Sequence, residues 1–259
     1  MSPPGSKNQK LSDVSIVTVC LNAKTSLPRC VASISEQKIR PLEYIIVDGG
    51  SDDGSVELLK NLKKIGQITE FISERDAGIS DAFNKGIKLC RSKYICFLNA
   101  DDWLENDHIM TAQEGLEQGC DIIISDIVFR RTTDRRLIPR YPKFGETVHW
   151  TNPQINHPGM IIKRDLFEKI GGYSLCYSVA MDVEFFYRAI RAGAKVLSTH
   201  KSTVTQTGFG VSQKKWLIAL YELYRIERNF GRSQFFSLTA LLSRFIRAIL
   251  RRFYEIMIK

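Results

Sequence analysis

Apolar runs of five to nine residues recur along the first half of the chain, separated by polar stretches with helical spacing. VSIVTV (14–19), YIIVD (44–48), ITEFIS (68–73), YICFL (94–98) and DIIISDIVF (121–129) read as strands. Helices are predicted after the first run to about Gln37, from Ser51 onward, across 78–90 and near 106–118. Strands that lack polar alternation are covered on both faces, and their regular separation by helices predicts an α/β fold with a mostly parallel sheet flanked by helices.

Ligands of such sheets bind beyond the carboxyl ends of the strands, so the strand endings matter. In order they are TVCLNA, VDGGSDDGS, ISERDAG and FLNADD, three of them acidic. Ser51, Asp52 or Asp53 is expected to cap the second helix. Asp48, Asp76, Asp101 and Asp102 call for more, because carboxylates gathered on one rim repel unless a cation or hydrogen-bond donors join them. The first strand is followed by CLNAKTS rather than GxGxxG, and no GxxxxGK[ST] follows any strand, which excludes both glycine-rich phosphate cradles. A diphosphate would have to be held mainly through a metal.

A second pattern occupies the end of the chain. In FFSLTALLSRFIRAILRRFYEIMIK the apolar residues 238, 241, 242, 245, 246, 249, 253, 256 and 257 keep helical spacing, with Arg244, Arg247, Arg251 and Arg252 between them. This predicts a basic amphipathic helix able to lie in a membrane interface, or to pack on the body or on a second subunit as a homo-oligomer. The preceding helix, about 213–230, is expected to pack it onto the body. Of the +9 net charge nearly all lies here, with eleven Lys and Arg against three Glu from residue 201 to the end. That asymmetry points to an anionic partner surface. Phe, Leu and Ile alternate with the arginines, which favours lipid over nucleic acid.

The 259 residues suffice for a full core, and 44% hydrophobic with 25% charged residues excludes disordered and collagen-like classes. Six cysteines without CxxC spacing read as reduced, buried thiols and thus as a cytoplasmic setting. MSPPGSKNQK has no apolar h-region and no run reaches the roughly 18 to 20 apolar residues of a membrane span. The expectation is a cytoplasmic protein peripherally associated with the cytoplasmic membrane.

The stretches IVTVCLNA, VDGGSDDGS, SERDAGISDAFNKG, FLNADD, NHPGMIIKRDLFEKIGGY and MDVEFFYRA, in that order, resemble the family 2 glycosyltransferases. The resemblance runs from about Val14 to Ser212. It implies a GT-A (Rossmann-like) domain over 13–212, with a flexible N-terminus at 1–12 and a helical, basic membrane-association segment at 213–259. Asp48 would accept a hydrogen bond from the ring N–H of a base, suiting a UDP-sugar donor, with Thr18 and Asn22 beside it. Arg75, Asp76 and Asp81 would line the ribose and phosphates, with Asn84 and Lys85 close behind.

In NADD, Asn99 would stand at the first position of a D-x-D metal motif and Asp101 at the second. Asp101, helped by Asp102, would anchor Mg²⁺ or Mn²⁺, with His200 as a further ligand. Asp182 matches the catalytic aspartate, although Met181 stands where a Glu commonly precedes it, and Glu184 is a second candidate. His157 matches an acceptor-side histidine. One base and direct displacement imply inversion, onto a sugar carried by a polyprenyl diphosphate in bacterial surface-polysaccharide assembly such as O-antigen. TGFGVS (207–212) would close over the site, and the basic stretch 130–143 would meet a phosphorylated acceptor. Asn99 and Met181 also fit a catalytically silent interaction subunit of the same fold.

Overall fold

The computed structural model describes residues 11–105, 107–129, 138–140, 155, 157–207 and 214–257. Most of the basic stretch 130–143 and of TGFGVS lies outside the described residues, as does most of the N-terminal segment.

The five expected strands are β1 (Val14–Cys20), β2 (Glu43–Asp48), β3 (Glu70–Ser73), β4 (Tyr94–Asn99) and β6 (Ile122–Phe129). Short strands β5 (Trp103–Leu104), β7 (Ile138–Arg140), β8 (Met160–Lys163) and the long β9 (Val196–Gln206) complete one sheet, in the order β3-β2-β1-β4-β8-β6-β9-β5 with β7 on β6. Pairing is parallel across β3-β2-β1-β4 and between β6 and β9, while β8 runs antiparallel between β4 and β6. Four-residue MIIK gives no periodic signal, so this insertion was not legible in advance.

The helices are α1 (Leu27–Ser35), α2 (Ser55–Lys64), α3 (Ile79–Leu89), α4 (His108–Glu117), α5 (Arg164–Ile170), α6 (Met181–Arg191), α7 (Trp216–Asn229) and α8 (Gln234–Met257). Every residue of β1 and β2 is buried, and the two-residue period of a strand divides them between two cores. Val14, Ile16, Tyr44 and Ile46 pack with Leu27, Cys30, Leu59 and Ile109 of α1, α2 and α4. Val17, Val19, Ile45 and Val47 pack with Phe83 of α3, Leu166 and Phe167 of α5 and Phe185 of α6. The α2 helix starts at Ser55 rather than Ser51, with Gly54 at its N-cap and no side-chain cap, so none of Ser51, Asp52 and Asp53 caps it; Asp53 Oδ1 accepts from Ser55 N at 2.9 Å just ahead of the helix.

The last two helices are tied to this body. Ile226 of α7 is fully buried in the second core, with Leu223 and Phe230 against it. Glu227 of α7 is buried and pairs with Arg232 at 2.8 Å and with Arg244 of α8 at 2.6 Å. Arg244 is therefore turned inward rather than standing in a solvent-facing basic stripe. Outward, Phe235, Leu238, Leu242, Ile246, Leu250 and Phe253 remain exposed, as do Leu217, Ile218 and Tyr221 of α7. None of the described helices is long and apolar enough to cross a membrane.

Helix α3 approaches β1 so closely that a Cβ on Gly86 would lie 2.3 Å from Cγ1 of the fully buried Val17. Gly86→Ala is expected to lower stability by about 1–2 kcal/mol despite the better helix propensity of alanine, read as a lower urea midpoint at unchanged m-value.

Candidate active site

Register places the strand ends level. Cys20 pairs with Asp48, Asp48 with Ser73, and Val19 with Asn99, so the ends of β1 to β4 form one rim. Asp48 is fully buried there. Its Oδ2 accepts from Gly50 N at 3.1 Å, Ser51 N at 2.9 Å and Ser73 Oγ at 2.7 Å. Its Oδ1 accepts from the Ser51 hydroxyl and from Cys20 Sγ at 3.5 Å. Burial works to raise its pKa, but these donors outweigh it and hold the carboxyl below the usual range. Asn22, in left-handed conformation at φ 52°, ties the β1 loop to this turn: its N–H donates to Ser51 Oγ at 2.8 Å and its Oδ1 accepts from Asp52 N at 3.0 Å. Thr18 sits two residues below the rim, fully buried, its Oγ1 3.2 Å from the Tyr44 hydroxyl. Its side chain faces the core and not the crevice.

The segment after β3 lies against the same turn. A Cβ on Gly49 would come within 2.5 Å of Asp76 Oδ2, so only glycine admits that carboxylate here. Asp76 Oδ1 accepts from Gly78 N at 2.9 Å, and Asp81 Oδ2 from Ala77 N at 3.0 Å. Lys85 reaches back to Glu74 at 2.9 Å, Asp81 at 3.4 Å and the Arg75 carbonyl at 2.9 Å. Arg75 is exposed. Asn84 turns the other way: it clamps the Tyr173 backbone, donating to its carbonyl and accepting from its N–H, both at 2.8 Å. Asn84 thus joins α3 to the GGY segment rather than lining the phosphate path.

At the end of β4, Asn99 Nδ2 donates to Asp102 Oδ2 at 3.0 Å, and Thr207 N donates to Asp102 Oδ1 at 3.0 Å. The Thr207 hydroxyl meets Asp101 Oδ2 at 3.3 Å, so the end of β9 is drawn to both aspartates. Burial, reinforced by the charge of Asp101, pushes the Asp102 carboxyl up to about 7. No group of three or more His, Cys, Asp or Glu is gathered in metal-binding geometry among the described residues. The donor set still fits a hard divalent cation: two adjacent carboxylates, the half-buried Asp101 and the buried Asp102, whose two neutral donors do not offset burial and the like charge beside it. His200 falls in β9 opposite a register irregularity of β6, and its side chain lies outside the described residues.

Asp182 opens α6, half-buried, with Val183 N donating to its Oδ1 at 2.8 Å. Burial pushes its carboxyl up to about 6 despite that bond, and the charge of Glu222 adds to the rise. Glu184 is engaged elsewhere, pairing through both oxygens with Arg188 at 2.8 and 2.9 Å, while Arg188 also donates to the Gly172 carbonyl at 2.7 Å. His157 is buried, 2.9 Å from the Tyr173 hydroxyl through Nε2 and stacked on Phe97. It lies within this aromatic cluster, and burial holds its pKa down at about 3. Ser73, Thr207, Tyr173, Arg188 and Glu222 organise the site without having been singled out from sequence, and Ser51, expected there as a helix cap, instead holds Asp48. Ser51, Ser73, Tyr173, Arg188 and Thr207 stood inside quoted stretches, whereas Glu222 acts on residues 42 to 44 positions away and carries no local signal.

These features meet known proteins at several levels. The family model described as glycosyl transferase family 2 matches residues 15–181, ending one residue before Asp182. A PGL/p-HBAD biosynthesis glycosyltransferase of Mycobacterium tuberculosis is 30% identical over 195 residues, 70% of this chain and 71% of that protein. The chain belongs to the family 2 glycosyltransferases. Among solved structures, TarS 1-349 of S. aureus in complex with UDP-GlcNAc superposes with TM-score 0.64 at 14% identity, covering 88% of this chain and 70% of that one. The chain spans 43% of the longer TarS structure. A mannosyltransferase from Pyrobaculum calidifontis, in complex with GDP-Man and Mn²⁺, gives 0.66 at 15% identity, covering 85% and 64%. At such identities these neighbours establish the GT-A fold.

The buried histidines impose a pH dependence on stability. His157 and His108 are held at about 3 and about 4 against an ordinary value of 6.5, so below pH 6.5 the unfolded chain binds protons the folded chain refuses. Their contribution is intact above 6.5 and falls as pH drops toward the folded values. His157→Phe, among Phe83, Phe97 and Tyr173, should cost about 1 kcal/mol at pH 7 through the lost hydrogen bond. Its stability relative to the parent should then rise steadily between pH 6.5 and 4 in urea titrations.

Proposed function

We propose that this glycosyltransferase moves a sugar from a UDP donor, with inversion and with Mg²⁺ or Mn²⁺, to a hydroxyl of a saccharide carried on a lipid diphosphate. The observation that carries the reading is the pair of poised acids in a GT-A domain: the Asp101–Asp102 pair at the end of β4, and Asp182 at the head of α6 with its carboxyl near 6. Asp101, with Asp102 behind it, would hold the metal, which when bound offsets charge on the departing diphosphate. Asp76 and Asp81 face the ribose side, and a uracil ring N–H would replace the Ser51 hydroxyl on Asp48. Asp182 takes the proton of the acceptor hydroxyl as that oxygen bonds to the anomeric carbon and the bond from carbon to the diphosphate oxygen breaks. A single base acting opposite the leaving group gives inversion. A pKa near 6 suits this role, since the carboxylate is largely ionised at neutral pH yet basic enough to accept a proton.

The UDP preference draws support from the UDP-GlcNAc complex of TarS, while the GDP-Man complex of the archaeal neighbour makes GDP-sugars the necessary comparison. A membrane-borne acceptor is supported by the exposed apolar residues of α8 together with its arginines.

Turnover measured across UDP-, GDP- and dTDP-sugars with detergent-solubilised lipid-diphosphate saccharides tests the reading. One UDP-sugar is expected to react, only with divalent metal, and both Asp101→Ala and Asp182→Asn should reduce kcat about a hundredfold or more. A retained α configuration from an α-linked donor would sink the inverting mechanism. In a separate measurement, Leu242→Ser, Ile246→Ser and Leu250→Ser combined should abolish sedimentation with anionic vesicles while leaving the melting temperature close to that of the parent, since all three side chains are exposed.

A further inference from the structure

The loop that delivers Asp182 has no secondary structure of its own, and its backbone N–H groups need acceptors. They find them on α7. Glu222, buried, accepts through Oε1 from Ser178 N at 2.6 Å and Ser178 Oγ at 2.9 Å. Through Oε2 it accepts from Val179 N at 2.9 Å and Ala180 N at 2.8 Å. One carboxylate thus fixes three consecutive residues immediately before α6. The adjacent Tyr177 is held on two further sides, its carbonyl accepting from Ser80 Oγ of α3 at 2.8 Å and its hydroxyl from Asn229 Nδ2 of α7 at 3.0 Å.

We infer that Glu222 is a positioning residue for the acceptor-side aspartate, setting through the 178–180 backbone where the Asp182 carboxylate stands in the cleft. This rests on the reading of Asp182 as general base. The helix has no side-chain cap of its own, so the N–H groups of the residues leading into it depend on the Glu222 carboxylate for acceptors. A carboxylate receiving four donors in a buried setting fixes that loop more firmly than a neutral acceptor would. Glu222 also lies near enough for its charge to help Asp182 keep its proton. The other charged and titratable groups around this corner are Tyr173, whose buried phenol is pushed well up, the Glu184–Arg188 pair of α6, and Arg225 of α7 over the Tyr177 ring. The α7 helix, read from sequence as a bracket for the tail, is on this account part of the catalytic arrangement.

Glu222→Gln tests this in the full-length enzyme with the UDP-sugar and acceptor selected above. The variant keeps the size of the side chain but turns an NH₂ group toward N–H donors. The expected result is a kcat about tenfold lower, with KM for the donor and Kd for UDP within about twofold, because small displacements of a reacting group act on turnover and not on donor binding. The acid limb of the kcat profile should move to lower pH as the neighbouring negative charge disappears. Ser178→Ala, which removes one of the four donors to Glu222 at a residue on the surface, should lower kcat about fivefold in the same direction. A lower melting temperature with kcat and acid limb unchanged in both variants would overturn the inference. Asp182→Asn separates the two readings: if it stays active, the base assignment itself is lost, whereas an inactive Asp182→Asn beside unchanged Glu222→Gln and Ser178→Ala removes only the role of Glu222.

Discussion

The Asp48 carboxylate is the constraint around which the donor side is built. A parallel sheet ends in loops that leave the rim at different heights, and nothing in the ladder itself holds those loops together. Asp48 does so by receiving donors from β1 through Cys20, from β3 through Ser73 and from its own turn through Gly50 and Ser51. Hydrogen bonds to a charged group contribute about 1.5–3 kcal/mol each, enough to outweigh the desolvation of a fully buried carboxylate. Asn22 then reaches across to the same turn, and Asp76 presses onto Gly49. The position of the crevice floor follows from this one anion.

Three aspartates in the cleft consequently occupy three electrostatic environments. Asp48 has donors in excess and stays ionised; Asp102 has burial and a like charge and rises to about 7; Asp182 has burial relieved by one helical N–H and rises to about 6. The same side chain is thereby made into a structural anion, a charge awaiting compensation and a weak base. Separation of pKa values by environment is how one cleft can hold a cation and accept a proton at the same pH. In the proposed reaction these roles fall on opposite sides of the sugar.

Much of this was legible in the chain. Unbroken apolar runs gave β1, β2, β4 and β6 almost to the residue, because strands buried on both faces carry no competing pattern. The rim aspartates followed from topology alone, since strand ends in a parallel sheet share one edge. What escaped detection depended on partners distant in sequence. Asn84 reads as a phosphate-side residue until Tyr173 is seen against it, and Glu184 reads as a second candidate base until Arg188 closes on it. Thr18 and His157 have the residue types of a polar site, yet their positions in a strand and beside an aromatic cluster put them in the core. No spacing rule links Glu222 to residue 178.

The tail shows how the same limitation affects a charge count. From residue 201 onward only three acidic residues stand against eleven basic ones, and two of the three, Glu222 and Glu227, are buried in service of the fold. Arg232 and Arg244 are drawn in with Glu227. The buried charges largely cancel, so the outward face of α7 and α8 is more uniformly basic and apolar than the sequence pattern suggests. On that face exposed apolar side chains stand beside basic ones. Under the proposed membrane-borne acceptor, such a face suits a surface where anionic headgroups overlie hydrocarbon, and the helix pair that would rest there is the one whose Glu222 holds the loop leading to Asp182.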